Sequence, residues 1–312
     1  MAASTPNTSS FVKPEVLAWL LDGRNAALLA AAGFSLKAIF VKLAYAAGPV
    51  DAITLLALRM LLALPAFIWL IHKAGGEPLS RRDWLGMMVL GMVGYYLSSL
   101  FDFLGLQTIT AGLERLILFT YPTLVLLLES AWYRKPISGK LWVGMVLTYL
   151  GLLAAFWHDL VHTEASMAVL IGAGWVFLSS LTFSAYYLGT GRYVKQLGSM
   201  RLAGLAGAMA SGFVLGHFLL VRPVSSLMTL PLAVWGWALA MALFSTVLPI
   251  WLAARAVALL GAGKAAAMGT IGPVLTIVFG WMILAEPFSW AQLLGLGLVI
   301  SGVSWISHSK ST

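Results

Sequence analysis

The chain contains itself twice. The run from Ala111-Gly112 through Pro122, Pro136-Ile137-Ser138, Gly144 and Gly151 returns 151 residues later without a gap, as Ala262-Gly263, Pro273, Pro287-Phe288-Ser289, Gly295 and Gly302. Nine of the 41 positions from 111 to 151 are identical at this offset, and Trp84 finds Trp235. Prolines and glycines carry most of the agreement. They set backbone shape, proline by fixing φ and removing a donor, glycine by admitting conformations and approaches that a Cβ forbids. The charges do not repeat: Arg134, Lys135 and Lys140 become Ala285, Glu286 and Ala291. A duplicated unit that loses its flanking positive charge in the second copy predicts two halves inserted into a membrane in opposite orientations.

Composition agrees on the solvent. Hydrophobic residues make up 61% of the chain and charged residues 10%, with a mean hydropathy of +0.93. A soluble domain carries roughly 25% charged residues, so a water-soluble globule is excluded. Runs such as 141–157 and 295–306 are apolar on every face, whereas barrel strands alternate over about ten residues. The class is therefore an all-α integral membrane protein. With no cysteine there is no disulfide framework or thiolate metal site. No P-loop is present, so no nucleotide cofactor is expected. His158-Asp159, His162 and Glu164 in one loop are a weak metal signal, and no metal is expected. No Ser/His/Asp set assembles within one leaflet, so an enzyme is not expected. The net charge of +8 sits at segment ends, where membrane topology uses it, and does not point to nucleic acid.

At about 20 apolar residues per crossing, ten spans are expected: 25–47, 51–72, 83–106, 112–132, 140–157, 166–190, 202–222, 231–255, 263–284 and 289–307. Residues 1–24 read as a polar tail and an interfacial segment carrying Trp19, and 308–312 as a C-terminal tail. With the N-terminus in the cytoplasm, cytoplasmic segments collect fourteen Lys and Arg, from Lys13 to Lys310, and outer loops only Arg115 and Arg222. Both termini are thus expected inside a bacterial inner (cytoplasmic) membrane. Five spans per half make the halves 25–157 and 166–307 antiparallel. Such architecture, two inverted five-helix repeats around a central cavity, belongs to transporters working by alternating access.

Ionisable residues inside a span are site candidates, because a charge at the bilayer centre costs at least about 2.5 kcal/mol. Lys37 lies near the middle of the first span, either as a substrate contact or in a salt bridge to Asp102 or Glu114. Lys42 lies five residues on, and Arg59 lies within the second span; both read as gating or structural charges. Tyr95, Ser99 and Asp102 stand at i, i+4 and i+7 in the third span and line one side of an α-helix. An aromatic ring, a hydroxyl and a carboxylate suit a zwitterion, with Asp102 taking the ammonium and Lys37 the carboxylate. The plainer alternative is that Asp102 lines a wet vestibule. Glu114-Arg115 reads as a solvated or mutually paired cap. Pro122 and Pro273 free the carbonyls of Leu118 and Gly269 and read as paired hinges or as packing kinks. Gly204, Ala208, Gly212 and Gly216 form a small-residue ridge, for intramolecular packing or a homodimer seam.

These residues resemble a family. Gly33-Phe34, Phe40-Val41-Lys42, Gly48-Pro49 and Arg59, followed by the doubled Ala-Gly, mid-span proline and Pro–Gly–Gly tail, are similar to the drug/metabolite transporter superfamily. The resemblance is to its ten-span EamA-type members, and most to the YddG-type aromatic amino acid exporters. The first copy departs from the pattern, carrying Lys135 where the family often has Glu, while the second keeps Glu286. Lys37 also lies outside the pattern. The resemblance implies a cavity lined by spans 1, 3, 4, 6, 8 and 9, adding Phe34, Tyr187 and Trp251 as substrate contacts. It implies export of amino acids, aromatic and large neutral. Efflux of lipophilic cations or drugs is the alternative, and a non-transporting scaffold or receptor the alternative of another class.

Overall fold

The computed structural model describes residues 22–134, 139–162, 166–260, 271–287 and 289–309, and these form helices joined by short turns and links, with no strand among them. The segment 11–21, Lys135, the stretch 261–270 with the Gly269 carbonyl, and Lys310 lie outside the described residues. In chain order the helices are α1 (Gly23–Ala47), α2 (Ala52–Ala74), α3 (Arg81–Gly105), α4 (Ala111–Leu118), α5 (Tyr121–Tyr133) and α6 (Gly139–His162). There follow α7 (Ser166–Leu197), α8 (Ser199–Val221), a single turn α9 (Ser225–Met228), α10, α11 (Gly272–Ile283) and α12 (Trp290–Ser309). Helix α10 runs from Leu232–Ala242 through Leu243–Val247 into Leu248–Leu260. Among the described residues, six helices are long and apolar enough to cross a membrane: α1, α2, α3, α7, α8 and α10.

Local chemistry sets the helix starts. Asp22 accepts the amides of Arg24 and Asn25 ahead of α1, Ser80 that of Asp83 ahead of α3, and Thr110 that of Leu113 ahead of α4. Such caps satisfy donors that the first turn leaves unpaired. Asp51 does most. It accepts the amides of Ile53 and Thr54 at 3.0 and 3.2 Å, the Thr54 hydroxyl at 2.8 Å, and Arg222 Nε at 3.1 Å. Burial pushes the Asp51 carboxyl up, but the Thr54 hydrogen bonds and the Arg222 guanidinium outweigh it and hold it below its ordinary value.

The helices are interrupted at matching places. In α3 Gly91–Leu97 is π-helical, and in α10 so is Leu243–Val247, 152 residues on by first residue. In α10 the Ser245 and Thr246 hydroxyls both donate to the Met241 carbonyl, at 2.8 and 3.0 Å, filling acceptor capacity that the widened turn leaves. Pro122 and Pro273 each stand in the first turn of a helix, α5 and α11. The Leu118 carbonyl before α5 accepts the Ser180 hydroxyl of α7 at 3.2 Å. Arg134 and Ala285, 151 residues apart, are the only non-glycine residues with positive φ among the described residues, at 51° and 52°.

Packing repeats the same exchange. Helix α1 lies against α10 and α11, while α7 lies against α3, α4 and α5. Helices α2 and α8 pair, as do α6 and α12, and α4 and α11. The α6–α12 contact runs through glycines: a Cβ on Gly151 would meet the Gly295 carbonyl, and one on Gly302 the Gly144 carbonyl. The α8 ridge is divided. Gly204 abuts the Phe67 carbonyl and Ile71 of α2, while Gly212 and Gly216 face open space. Trp84, Trp142, Trp290 and Trp305 are exposed.

Gly151→Leu is expected to lower stability by about 1–3 kcal/mol through overpacking, whereas Gly297→Leu, which meets nothing, is tolerated; thermal melts of the detergent-solubilised protein compare them. The Asp51 contribution is present above the ordinary carboxylate range and lost as pH falls through the depressed folded value. Melts from about pH 6 to about pH 3 should therefore lose a step in Asp51→Asn that the parent has.

Candidate functional site

Lys37 enters the interior from α1 and meets two carboxylates. Its Nζ lies 2.7 Å from Asp102 Oδ2 of α3 and 3.4 Å from Glu114 Oε1 of α4. Asp102 is 1% exposed and Glu114 0%, against 17% for the lysine. Three helices are thereby tied by one ammonium. The geometry corrects two expectations: Glu114 is no solvated cap, and Asp102 lines no wet vestibule. Arg115 likewise turns inward, its Nη2 donating to Ser35 Oγ of α1 at 3.4 Å. Ser35 is a residue that sequence reasoning missed. Its hydroxyl donates to the carbonyls of Ala31 (2.7 Å) and Gly272 (2.9 Å), joining α1 to α11.

Arg59 forms the next layer. Its Nε donates to Thr246 Oγ1 of the α10 π segment at 2.9 Å, its Nη1 to Ser99 Oγ at 3.4 Å, and its guanidinium lies 5.5 Å from the Phe103 ring centre. The Asp102 carboxylate and the Tyr95 phenol are its electrostatic neighbours. Tyr95, Ser99 and Asp102 thus share Arg59 as a neighbour, while Tyr95 also meets Tyr186 and Asp102 meets Lys37. Tyr95 takes a hydrogen bond from the Tyr186 hydroxyl at 3.2 Å, and its ring meets that of Tyr186 edge-on at 5.2 Å. Phe183 and Tyr121 continue this aromatic wall. Phe34 and Trp251 are placed elsewhere, packed with Ala26, Ala27, Ala30, Leu252 and Ala256 in the α1–α10 contact. The Tyr187 side chain lies outside the described residues.

A second charged locus lies further along α1. Glu286 reaches across from the end of the second copy to the start of α4, where Oε1 accepts the Ala111 amide at 2.7 Å and Oε2 the Gly112 amide at 3.4 Å. A carboxylate suits a helix N-terminus, whose first amides are unpaired and whose dipole end is positive. Gly280 leaves the space Glu286 occupies. Lys42, Thr108, Thr110, Val169, Leu284 and Glu286 line a cavity of about 380 Å³.

Breaking a buried pair from one side costs about 3–5 kcal/mol. Lys37→Met alone should therefore destabilise strongly, and adding Asp102→Asn and Glu114→Gln should restore most of the loss. Melting temperatures of the single and triple variants check this.

The EamA-like transporter family model matches the chain twice, at residues 23–157 and 170–308. The uncharacterized transporter YcbK of Bacillus subtilis strain 168 is 30% identical over 287 residues, 89% of this chain and 90% of its own. The threonine/homoserine exporter RhtA of Escherichia coli K12 is 27% identical over 64% of this chain and 63% of its own. A chain of known crystal structure superposes with a TM-score of 0.61 at 16% identity, covering 95% of this chain and 99% of that one; the likeness is one of fold.

Proposed function

This chain belongs to the EamA-like transporter family, and from that premise we propose that it is a secondary transporter exporting amino acids by alternating access. The family is one of membrane transporters, not enzymes. Two inverted five-helix halves would rock about the Lys37 cluster. Several observations support that architecture: the family model matches twice, and the π segments and left-handed residues recur about 151 positions apart. The α6–α12 glycine contacts also exchange under the same offset. Lysine and arginine distribution supports cytoplasmic termini in a bacterial inner membrane.

The observation that carries the substrate class is the buried pair of Lys37 and Asp102, 2.7 Å apart. An amino acid brings the same two charges on one carbon. Opening the pair around it gives its carboxylate to Lys37 and its ammonium to Asp102, so both members of the pair keep a counter-charge. The edge-on Tyr95–Tyr186 rings, backed by Phe183, suit an apolar or aromatic side chain. The name of the relative RhtA, a threonine/homoserine exporter, supports an amino acid cargo. A lipophilic cation could take one carboxylate while Lys37 kept the other, so the ammonium would contribute nothing to holding it.

Proteoliposomes holding the purified protein should give saturable flux of labelled Phe, Trp, Met or Thr. Asp102→Asn should reduce that flux at least about tenfold, the scale of one lost charged hydrogen bond, and impair zwitterions more than substrates lacking an ammonium. Movement of cationic dyes with no amino acid flux would overturn the assignment.

A further inference from the structure

The Asp102 and Glu114 carboxyls close on the same ammonium, Oδ2 at 2.7 Å and Oε1 at 3.4 Å from Lys37 Nζ, so each lies in the field of the other. Among the described residues, Lys37 is the one donor that reaches their four oxygens, although both side chains are almost fully buried. Two buried carboxylates that share one ammonium cannot both stay ionised cheaply, and a proton held between them resolves the conflict by turning one into a donor. We propose that Asp102 and Glu114 hold one proton between them and that the substrate ammonium displaces it, so that export is an exchange of amino acid for proton. The proposal rests on the amino acid reading above and adds its coupling.

The exchange balances. The O–H bond of the protonated carboxyl breaks, the proton leaves to water on the side the site faces, and the ammonium donates to both carboxylates in its place. No electron moves. Return of the empty site requires a proton from the opposite side, which drives the cycle. Each turn exports one neutral zwitterion and imports one positive charge.

The surroundings allow both states. Facing the pair are Lys37, Lys42 and Tyr45 of α1, Arg59 of α2 and Arg115 of α4. The segments of α7 and α11 at this level bring hydroxyls and glycine, Ser179, Ser180, Thr276 and Gly272, and no charge. When the proton leaves, Arg59 beside Asp102 and Arg115 beside Glu114 offset the second carboxylate, while Lys37 turns to the substrate carboxylate. The Tyr45 hydroxyl stays committed to the Phe103 carbonyl at 2.8 Å and is not available as a rival proton donor.

The test measures protons released when the purified full-length protein, in weakly buffered detergent with a pH-sensitive dye, binds phenylalanine or threonine. About one proton per bound amino acid is expected, with the apparent Kd rising about tenfold per unit fall in pH on the acid limb. Glu114→Gln should abolish the release and flatten the pH profile, whatever its effect on affinity. Counterflow of the same amino acids in proteoliposomes at equal pH on both sides is measured in parallel. Counterflow with no proton release and a flat profile overturns proton exchange and leaves the transport reading standing. Absence of counterflow and binding overturns both.

Discussion

An ammonium buried in a membrane protein must bring its own counter-charges, and here they come from two other helices. Lys37 of α1 is held by Asp102 of α3 and Glu114 of α4. The surroundings are built to tolerate that arrangement. Arg59 stands one layer away, satisfied by Thr246 and Ser99. Ser35 ties the Lys37 helix to α11 and receives Arg115. On α3, Ser99 serves Arg59 and Asp102 serves Lys37. In an apolar bundle with little hydrophobic drive between helices, such polar contacts specify which faces meet.

The two-copy plan was legible because it is written in glycines and prolines, which act locally. Pro122 and Pro273 stand at helix starts, and Gly151 and Gly302 allow the close approach of α6 and α12. Lys37 was legible because a lysine in mid-span has few places to go. Glu114 was legible in part: it stands among the expected partners of Lys37, but beside Arg115 at a helix start it also reads as a solvated or paired cap, and only the tertiary fold carries that start into the interior. The Glu286 cap on α4, 175 residues from Ala111, has no local signature, and neither has the π segment. Phe34 and Trp251 illustrate the remaining gap, since aromatic residues on a helix do not announce which neighbour they pack against.

Arg134 and Ala285 mark where the two copies share a backbone but not a chemistry. Both adopt the left-handed turn that closes their helices, yet one position is followed by Lys135 and the other by Glu286. Shape was kept through duplication while charge diverged. A membrane protein can do this because backbone geometry governs helix packing, whereas the charge of each connecting turn answers to the compartment it faces.

The Glu286 cap has a consequence for the resting state. A carboxylate on a helix N-terminus is worth about 0.5–2 kcal/mol, and the sequence supplies a lysine at the matching place in the first copy. Such a contact between two related halves loads the die. In the cycle proposed above, a conformer that keeps Glu286 on Ala111 and Gly112 would be favoured over one that loses the contact by a factor of about 2–30 before any substrate arrives. The chain's sidedness then resides in a single carboxylate as well as in its orientation in the bilayer.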